Sequence, residues 1–166
     1  MIKFKKVNKE NYEQAIISQA EETFLIDYRK GCYEDIILPK RATKGSAGYD
    51  FFAPYGVTIK TNTWHTMPLG IKFETDRNDI VLLCLPRSGL GFKYNFQIIN
   101  TVAVIDSDYQ FAKNDGQIII KFKTNQDITI EKGQAILQGI FTTYLLVDED
   151  NVENERIGGF GSTSNN

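Results

Sequence analysis

After Leu38, the sequence alternates between short β-rich runs and turn residues, and this alternation limits what the chain can fold into. The runs place Val, Ile, Phe or Tyr at alternate positions, as half-buried strands do, and Gly, Asn, Asp and Pro separate them. Their sequences are YDFFA, GVTIK, IVLLCL, FQIIN, VAVID, QIIIKFK, DITI and AILQGIFTTYLLV. No helical pattern lies between them, so the runs predict an all-β sandwich, barrel or jelly roll and argue against a doubly wound sheet.

One helical pattern precedes the β-rich part of the chain. In NKENYEQAIISQAEETFLIDY, apolar residues recur at steps of three or four, and Asn8 or Asn11 can cap the start. The positions that form this stripe are Tyr12, Ala15, Ile16, Ala20 and Phe24. We expect an amphipathic helix packed on the outside of the domain.

The bulk composition limits the class of ligand. A chain of 166 residues with 42% hydrophobic and 24% charged residues is typical of one globular domain. Its net charge of -2 argues against a protein that coats nucleic acid. No apolar run reaches the ~18 residues of a membrane span, and MIKFKKVNKE lacks the apolar core of a signal peptide. We therefore expect a cytoplasmic protein that binds neither membrane nor nucleic acid.

Several polar residues stand within these apolar runs or at their ends. They are Asp50, Arg87, Ser88, Gly89, Asp106 and Gln138. Taken singly, each fits a plain turn or a solvated strand end. Taken together, they supply a planar guanidinium and a hydroxyl for phosphate oxygens and a glycine that lets backbone approach closely. They also supply two carboxylates for a hydrated metal and a water nucleophile.

Residues 155–166 have the sequence ERIGGFGSTSNN, a segment that can bury almost nothing of its own. Its glycines allow a backbone nest that binds anions, and Arg156, Ser162 and Thr163 flank that nest. Phe160 offers a face on which a base can stack. Together with the polar residues above, this segment favours a small anionic nucleotide as the ligand.

Five short motifs in fixed order make the chain similar to the trimeric dUTP nucleotidohydrolases (dUTPases). The motifs are AGYDF at 47–51, PRSGLG at 86–91, NTVAVIDSDYQ at 100–110, KGQAILQ at 132–138 and ERIGGFGSTS at 155–164. The resemblance implies a distorted jelly-roll β domain over 36–154, with an added helical extension over 1–35 and a flexible C-terminal arm over 155–166. It also implies a homotrimer whose active sites lie at subunit interfaces.

The resemblance assigns the nucleoside to the third motif. Asn100 would read the uracil edge, and the main chain of Val104 and Ile105 would hydrogen-bond the base. Tyr109 would pack against the deoxyribose and exclude a ribose 2′-hydroxyl. Uracil would be preferred to cytosine because a mismatched base leaves buried polar groups unpaired.

The resemblance assigns the chemistry to Asp106, which would orient a water for in-line attack on the α-phosphorus of dUTP. The products would be pyrophosphate and dUMP, so dUTP would be lowered and dUMP supplied for dTMP synthesis. Mg²⁺ would be held mainly by the three phosphates, with Asp50 acting through bound water, since this ion gives up its waters reluctantly. The residues that would bind the phosphates are Arg87, Ser88, Gly89 and Gln138.

The resemblance makes the C-terminal arm a lid contributed by a neighbouring subunit. Phe160 would cover the uracil, and the rest of the arm would close over the phosphates and exclude bulk water. The contacts expected from the rest of the arm are Arg156, Gly161, Ser162 and Thr163.

Four features depart from the family pattern. The segment 111–115 lengthens the loop of the third motif, and the N-terminal ~35 residues exceed the family core. Ala135 stands where arginine is common, and the fifth motif is one residue short before its double glycine, where Ile157 stands alone. The single histidine, His65, has no evident acid–base partner in the sequence, and we assign it to structure.

Two alternatives stay open at this level. A deoxycytidine triphosphate deaminase shares the fold, yet its chemistry needs a glutamate base where this sequence has IDSDY, the hydrolase pattern. The other alternative is a regulatory protein on a dUTPase scaffold, of the type in which a phage product binds a repressor. The N-terminal extension and the insertion at 111–115 are the features that would serve it.

Overall fold

The structure is a computed structural model that describes residues 1–20 and 33–152. Its helices are α1 (Lys9–Ala20) and α2 (Ser88–Tyr94), and 3₁₀ turns cover Tyr33–Asp35 and Ser107–Phe111. Its strands are β1 (Ile2–Lys6), β2 (Lys40–Arg41), β3 (Tyr49–Phe52), β4 (Val57–Ile59), β5 (His65–Pro68), β6 (Ile71–Thr75), β7 (Ile80–Pro86), β8 (Gln97–Ile98), β9 (Ala103–Asp106), β10 (Ile119–Lys123), β11 (Ile128–Ile130) and β12 (Ala135–Thr143).

The largest sheet has five antiparallel strands in the order β2-β3-β12-β7-β9. The central strand is β12, in which Gln138 lies opposite Asp50 of β3 on one side and opposite Leu85 of β7 on the other. The pairing of β12 with β3 shifts register between Ala135 and Leu137, which bends the strand near its start. Strands that are distant in sequence therefore become neighbours, as expected for a jelly roll.

The other strands pair as β5-β10-β8, β11-β4 and β1-β6, and they share one apolar core with the five-stranded sheet. Successive side chains of a strand point to opposite faces. In β10, Ile120 and Phe122 are accordingly buried while Lys121 between them is exposed. Burying a side chain of this size stabilises the fold by about 1.5–3 kcal/mol relative to leaving it in water.

The N-terminal helix packs on this core. Asn8 caps α1, because its Oδ1 accepts the backbone N–H of Asn11 at 2.8 Å. Tyr12 and Ile16 are buried, which makes them the inward face that the sequence predicts. The helix and its cap are thus confirmed through residue 20, and Phe24 lies outside the described residues. The division of the chain at residue 35 stays a prediction.

Each of the predicted β-rich runs contains a strand, but four strands were missed. The missed strands are β1, β2, β5 and β6. In β1, lysines alternate with Ile2 and Phe4, and the strand is largely exposed, so it carries a weak apolar signal. The prediction that the last run continues through Val147 is wrong, because β12 ends at Thr143.

Two single residues are buried in the strands, and for His65 this is the structural role expected from the sequence. Cys84 is fully buried in β7, and burial raises the pKa of its thiol to about 12. His65 is buried on β5 opposite Phe122, and burial lowers the pKa of its imidazole. Within residues 1–20 and 33–152, no helix combines the length and apolarity that a membrane span requires.

Candidate active site

One group of predicted site residues meets at one end of the five-stranded sheet, and we call it the Arg87 cluster. Its members are Asp50, Arg87, Ser88, Gly89 and Gln138. Arg87 Nε lies 3.4 Å from Asp50 Oδ1. Asp50 is buried, whereas 43% of the Arg87 side chain is exposed. The guanidinium is therefore held by the carboxylate and still accessible to an anion.

The segment after β7 is a short helix, although its Ser and Gly residues also fit a plain turn. The carbonyl of Arg87 accepts the backbone N–H groups of Leu90 and Gly91 at 3.0 and 2.9 Å. Ser88 and Gly89 are exposed. A Cβ added at Gly89 meets no atom within 4 Å, so packing within the chain does not require glycine there. The close backbone approach predicted for Gly89 must come from a ligand or a second protomer.

Gly48 is a site residue that the sequence analysis did not single out. A Cβ added at Gly48 would lie 2.2 Å from Cγ and 2.3 Å from Nε2 of Gln138. Such contacts are not tolerated, so only glycine leaves room for the Gln138 side chain where it now lies. The small residues before Asp50 indicate that space is needed there, but the sequence does not show that the side chain of Gln138 fills it.

A second group lies along the edge strand β9 and directly before and after it, and we call it the Asp106 cluster. Its members are Asn100, Val104, Ile105, Asp106 and Tyr109. Along β9 the side chains of Val104 and Asp106 are exposed, while that of Ile105 is buried. The two exposed side chains share the outer face of the strand, so the carboxylate of Asp106 is open to solvent.

Asn100 borders a cavity of about 380 Å³ beside the start of β9. Ile98, Ile99 and Ala103 contribute apolar walls, and Lys121 also lines the cavity. The cavity is concave and mainly apolar with a few polar groups, as small-ligand sites generally are. Asn100 and Ala103, the first residue of β9, thus line the same cavity.

Tyr109 is buried within the 3₁₀ turn that follows Asp106. Its hydroxyl donates to the carbonyl of Gln117 at 3.0 Å and accepts from Nδ2 of Asn114 at 2.8 Å. The hydroxyl is therefore engaged within the chain. The sugar contact predicted for Tyr109 stays a prediction, and it would involve the ring.

Asp106 lies far from the Arg87 cluster in a single chain. Asp106 is opposite Val81 near one end of β7, whereas Arg87 follows the other end of the same strand. Six residues of strand span about 20 Å. Asp50 is three strands and four residues away from Asp106, which also amounts to about 19 Å. One protomer therefore does not bring the two predicted carboxylates to one phosphate group.

The described residues offer little for a metal held by protein alone. Among them, no group of three His, Cys, Asp or Glu side chains is placed to hold an ion. Asp50 is buried beside Arg87, which suits contact with a hydrated cation that a triphosphate carries. The predicted contacts at Arg156, Phe160, Gly161, Ser162 and Thr163 lie outside the described residues.

The insertion at 111–115 is anchored at one end and exposed at the other. Asp115 accepts the backbone N–H of Asn8 at 2.6 Å and the ammonium of Lys72 at 2.8 Å. Phe111 is 73% exposed. Of the other departures, Ala135 begins β12 opposite Phe52, and Ile157 lies outside the described residues.

Comparison with known proteins extends the assignment. The dUTPase family model matches residues 34–164. A deoxyuridine 5'-triphosphate nucleotidohydrolase of Lactococcus lactis subsp. lactis is 37% identical over 133 residues, which cover 77% of this chain and 88% of the relative. A crystal structure of dUTPase from Streptococcus mutans has 34% identity and a TM-score of 0.61, covering 69% of this chain and 91% of that chain.

The fold defines the class of protein: this is an all-β protein with the jelly-roll architecture that its structural neighbours share. More specifically, the chain belongs to the dUTPase family, as its five motifs predict. A mutant dUTPase of phage phi11 of S. aureus, which coordinates a structural Mg(II) ion, has a TM-score of 0.64. That neighbour covers 93% of this chain and 97% of its own, but at 15% identity it supports the fold alone.

Proposed function

We propose that the chain hydrolyses dUTP to dUMP and pyrophosphate at sites shared between protomers of a homotrimer. The observation that carries the shared site is the separation of about 20 Å between Asp106 and Arg87 along β7. In this proposal the Asp106 and the Arg87 that act on one nucleotide come from two different chains. Lowering dUTP and supplying dUMP for dTMP synthesis in the cytoplasm follow from that reaction.

The Asp106 cluster binds the nucleoside in this proposal. Its strand β9 is an edge of the five-stranded sheet, so alternate backbone N–H and C=O groups face away from β7. Adjacent residues of the strand direct these groups to opposite sides, so one of Val104 and Ile105 offers both its N–H and its C=O to a uracil edge. Asn100 adds its amide at the neighbouring cavity, and the buried ring of Tyr109 packs against the sugar.

Asp106 acts as the general base. Its exposed carboxylate takes a proton from water, and the water oxygen forms a bond to the α-phosphorus. The bond from that phosphorus to the oxygen bridging to the β-phosphate breaks, and pyrophosphate leaves with the electron pair. General base action of this kind contributes typically ~10²–10⁴-fold to the rate.

The Arg87 cluster of the neighbouring protomer binds the phosphates. The guanidinium of Arg87 and the hydroxyl of Ser88 donate to phosphate oxygens, and Gln138 adds an amide donor. Asp50 would contact, through water, a Mg²⁺ held mainly by the phosphates, and such an ion would supply charge neutralisation on the triphosphate. The burial of Asp50 beside Arg87 supports this arrangement, because the pair is held in place before the ligand arrives.

The trimer is supported by an exposed apolar segment that follows β12. Leu145, Leu146 and Val147 are 97%, 68% and 79% exposed. A run of such residues in water is unfavourable, and a second protomer can cover it. Residues 156–163 of a further protomer then close over the nucleotide, with Phe160 on the uracil and Arg156, Gly161, Ser162 and Thr163 near the phosphates.

A panel of nucleotides tests the reaction. Pyrophosphate release is measured with dUTP, dCTP, dTTP and UTP, each with and without Mg²⁺. We expect release from dUTP with Mg²⁺, and rates at least ~10²-fold lower with the other three. Ammonia release from dCTP would instead favour the deaminase alternative, and equal rates with dUTP and UTP would contradict the proposed sugar contact of Tyr109.

A second candidate function, binding of a regulatory protein, is favoured by one observation. Phe111 is 73% exposed on an insertion that Asp115 anchors to Asn8 and Lys72. An exposed aromatic side chain on an anchored loop suits protein contact. A partner captured from cell extract by the native chain, lost on deletion of 111–115 and retained by Asp106→Asn, would support this role alongside hydrolysis.

A further inference from the structure

The amide side chain of Gln110 ties the turn that follows Asp106 to strand β6. Pairing of β9 with β7 ends at the Asp106–Val81 pair, and the chain then enters the 3₁₀ turn Ser107–Phe111. Within this turn, Nε2 of Gln110 donates to the carbonyl of Ser107 at 2.9 Å and to the carbonyl of Thr75 at 3.0 Å. Oε1 of Gln110 accepts the backbone N–H of Thr75 at 3.3 Å.

The amide of Gln110 thus bonds to Thr75 as the backbone of a paired strand would. It accepts the N–H of Thr75 and donates to the C=O of the same residue. Thr75 is the last residue of β6, and β1 pairs along β6 with Ile2 opposite Thr75. An ion pair of 2.5 Å between Lys5 and Glu74 reinforces that pairing. Gln110 therefore connects the turn after Asp106 to a backbone that is already fixed by the N-terminal strand.

We propose that Gln110 is a positioning residue for Asp106. The bond to the carbonyl of Ser107 holds the residue directly after Asp106, and the bonds to Thr75 hold the turn against β6. The described strand pairing of β9 ends at Asp106, and the turn beyond it is held by side chains: the hydroxyl of Tyr109 bonds to Gln117, and the amide of Gln110 bonds to Thr75 of β6. A carboxylate that must align a water needs such restraint, since a misplacement of 1 Å can lower a rate about 10²-fold.

This inference rests on the proposed function, and the assay separates the two. Pyrophosphate release from dUTP is followed for the native chain, Gln110→Ala and the control Gln126→Ala. The control removes another long-range amide bond, from Nε2 of Gln126 to the carbonyl of Lys93 at 2.8 Å. A native chain without activity refutes the proposed function, whatever the variants do.

With an active native chain, we expect Gln110→Ala to lower kcat by roughly 10–100-fold while KM changes by less than about threefold. The control should keep kcat within about twofold, because its bond ends at Lys93 in the last turn of α2 and not at Ser88, Gly89 or another member of either cluster. A normal kcat in Gln110→Ala overturns the inference. So does a rise in KM as large as the fall in kcat, because that result indicates lost substrate contact.

The variant Gln110→Glu adds a readout that general loss of packing does not produce. A carboxylate can accept from the N–H of Thr75 but cannot donate to the two carbonyl oxygens, whereas a protonated carboxyl can donate to one. We expect kcat of this variant, relative to the native chain at each pH, to rise at least about twofold from pH 8 to about pH 5.5. If the ratio of the Gln110→Glu kcat to the native kcat is the same at pH 8 and pH 5.5, the inference is overturned. This test remains decisive if Gln110→Ala does not fold.

Discussion

Subunit complementation tests the shared site most directly. Asp106→Asn removes the base from one cluster, and Arg87→Ala removes the guanidinium from the other. Asp50 and Asp106 of one chain are about 19 Å apart by strand count. A base-activated water must lie about 3–3.5 Å from the phosphorus, so these two short side chains of one chain cannot serve the same phosphate group.

The expected recovery follows from this geometry. Each variant alone should lose roughly 10²-fold or more in kcat/KM. When the two are mixed in equal amounts, unfolded and refolded together, chains assort at random into trimers. A site is intact when its Asp106 comes from an Arg87→Ala chain and its Arg87 from an Asp106→Asn chain, so about a quarter of sites should be active.

A same-cluster mixture is the matched control. Arg87→Ala and Gln138→Ala both impair the Arg87 cluster, so no mixed trimer contains a fully intact site, and the mixture should stay near the level of its parents. Activity is read as pyrophosphate release, and the oligomeric state as mass by light scattering. A failure of Asp106→Asn and Arg87→Ala to complement, or equal recovery in the control mixture, would refute the shared site.

Three further predictions concern the arm, the space beside Gln138 and His65. Deleting 156–166 should abolish turnover and leave the melting temperature and trimer mass unchanged, because the arm lacks a core of its own; near-native activity of the truncated chain would contradict this. Gly48→Ala should lower kcat/KM about as much as Gln138→Ala, roughly 10²-fold, and the double variant should be no worse; additive losses would show that the steric account is wrong. Burial lowers the pKa of His65, so the unfolded chain binds a proton at a higher pH than the folded chain does. The contribution of the neutral, buried imidazole to the free energy of unfolding is therefore complete above about pH 6.5, and it declines as pH falls toward the lowered pKa. Urea unfolding from pH 8 to 5 should therefore show a smaller loss for His65→Phe than for the native chain, and equal losses would exclude His65 as the cause.

The sequence by itself determined the β character and the order of the motifs. Alternation within a strand is a local property, so runs such as QIIIKFK reveal which side chains face the core before any partner strand is known. Ile120 and Phe122 are buried as that alternation requires. The cap at Asn8 is equally local, because it depends on one side chain and a backbone group three residues away.

Strands whose sequences carry a weak apolar pattern form because a partner strand is available to pair with them. The exposed strand β1 alternates lysine with Ile2 and Phe4, and it exists because β6 supplies a backbone to pair with. The end of β12 at Thr143 could not be read from the apolar run, since Leu145 is as apolar as the residues before it. Pairing across a sheet joins distant segments, so it leaves little trace within any one of them.

Tertiary structure alone decided how the site residues are divided. Asp50, Arg87, Asp106 and Gln138 were all named from the sequence, yet strand register separates Asp106 from the other three along β7 and across the sheet. Register also brings Gln110 to Thr75, which lies 35 positions earlier in the chain. Residue types specify the chemistry that is available, whereas strand pairing over long sequence separations fixes the distances between those groups.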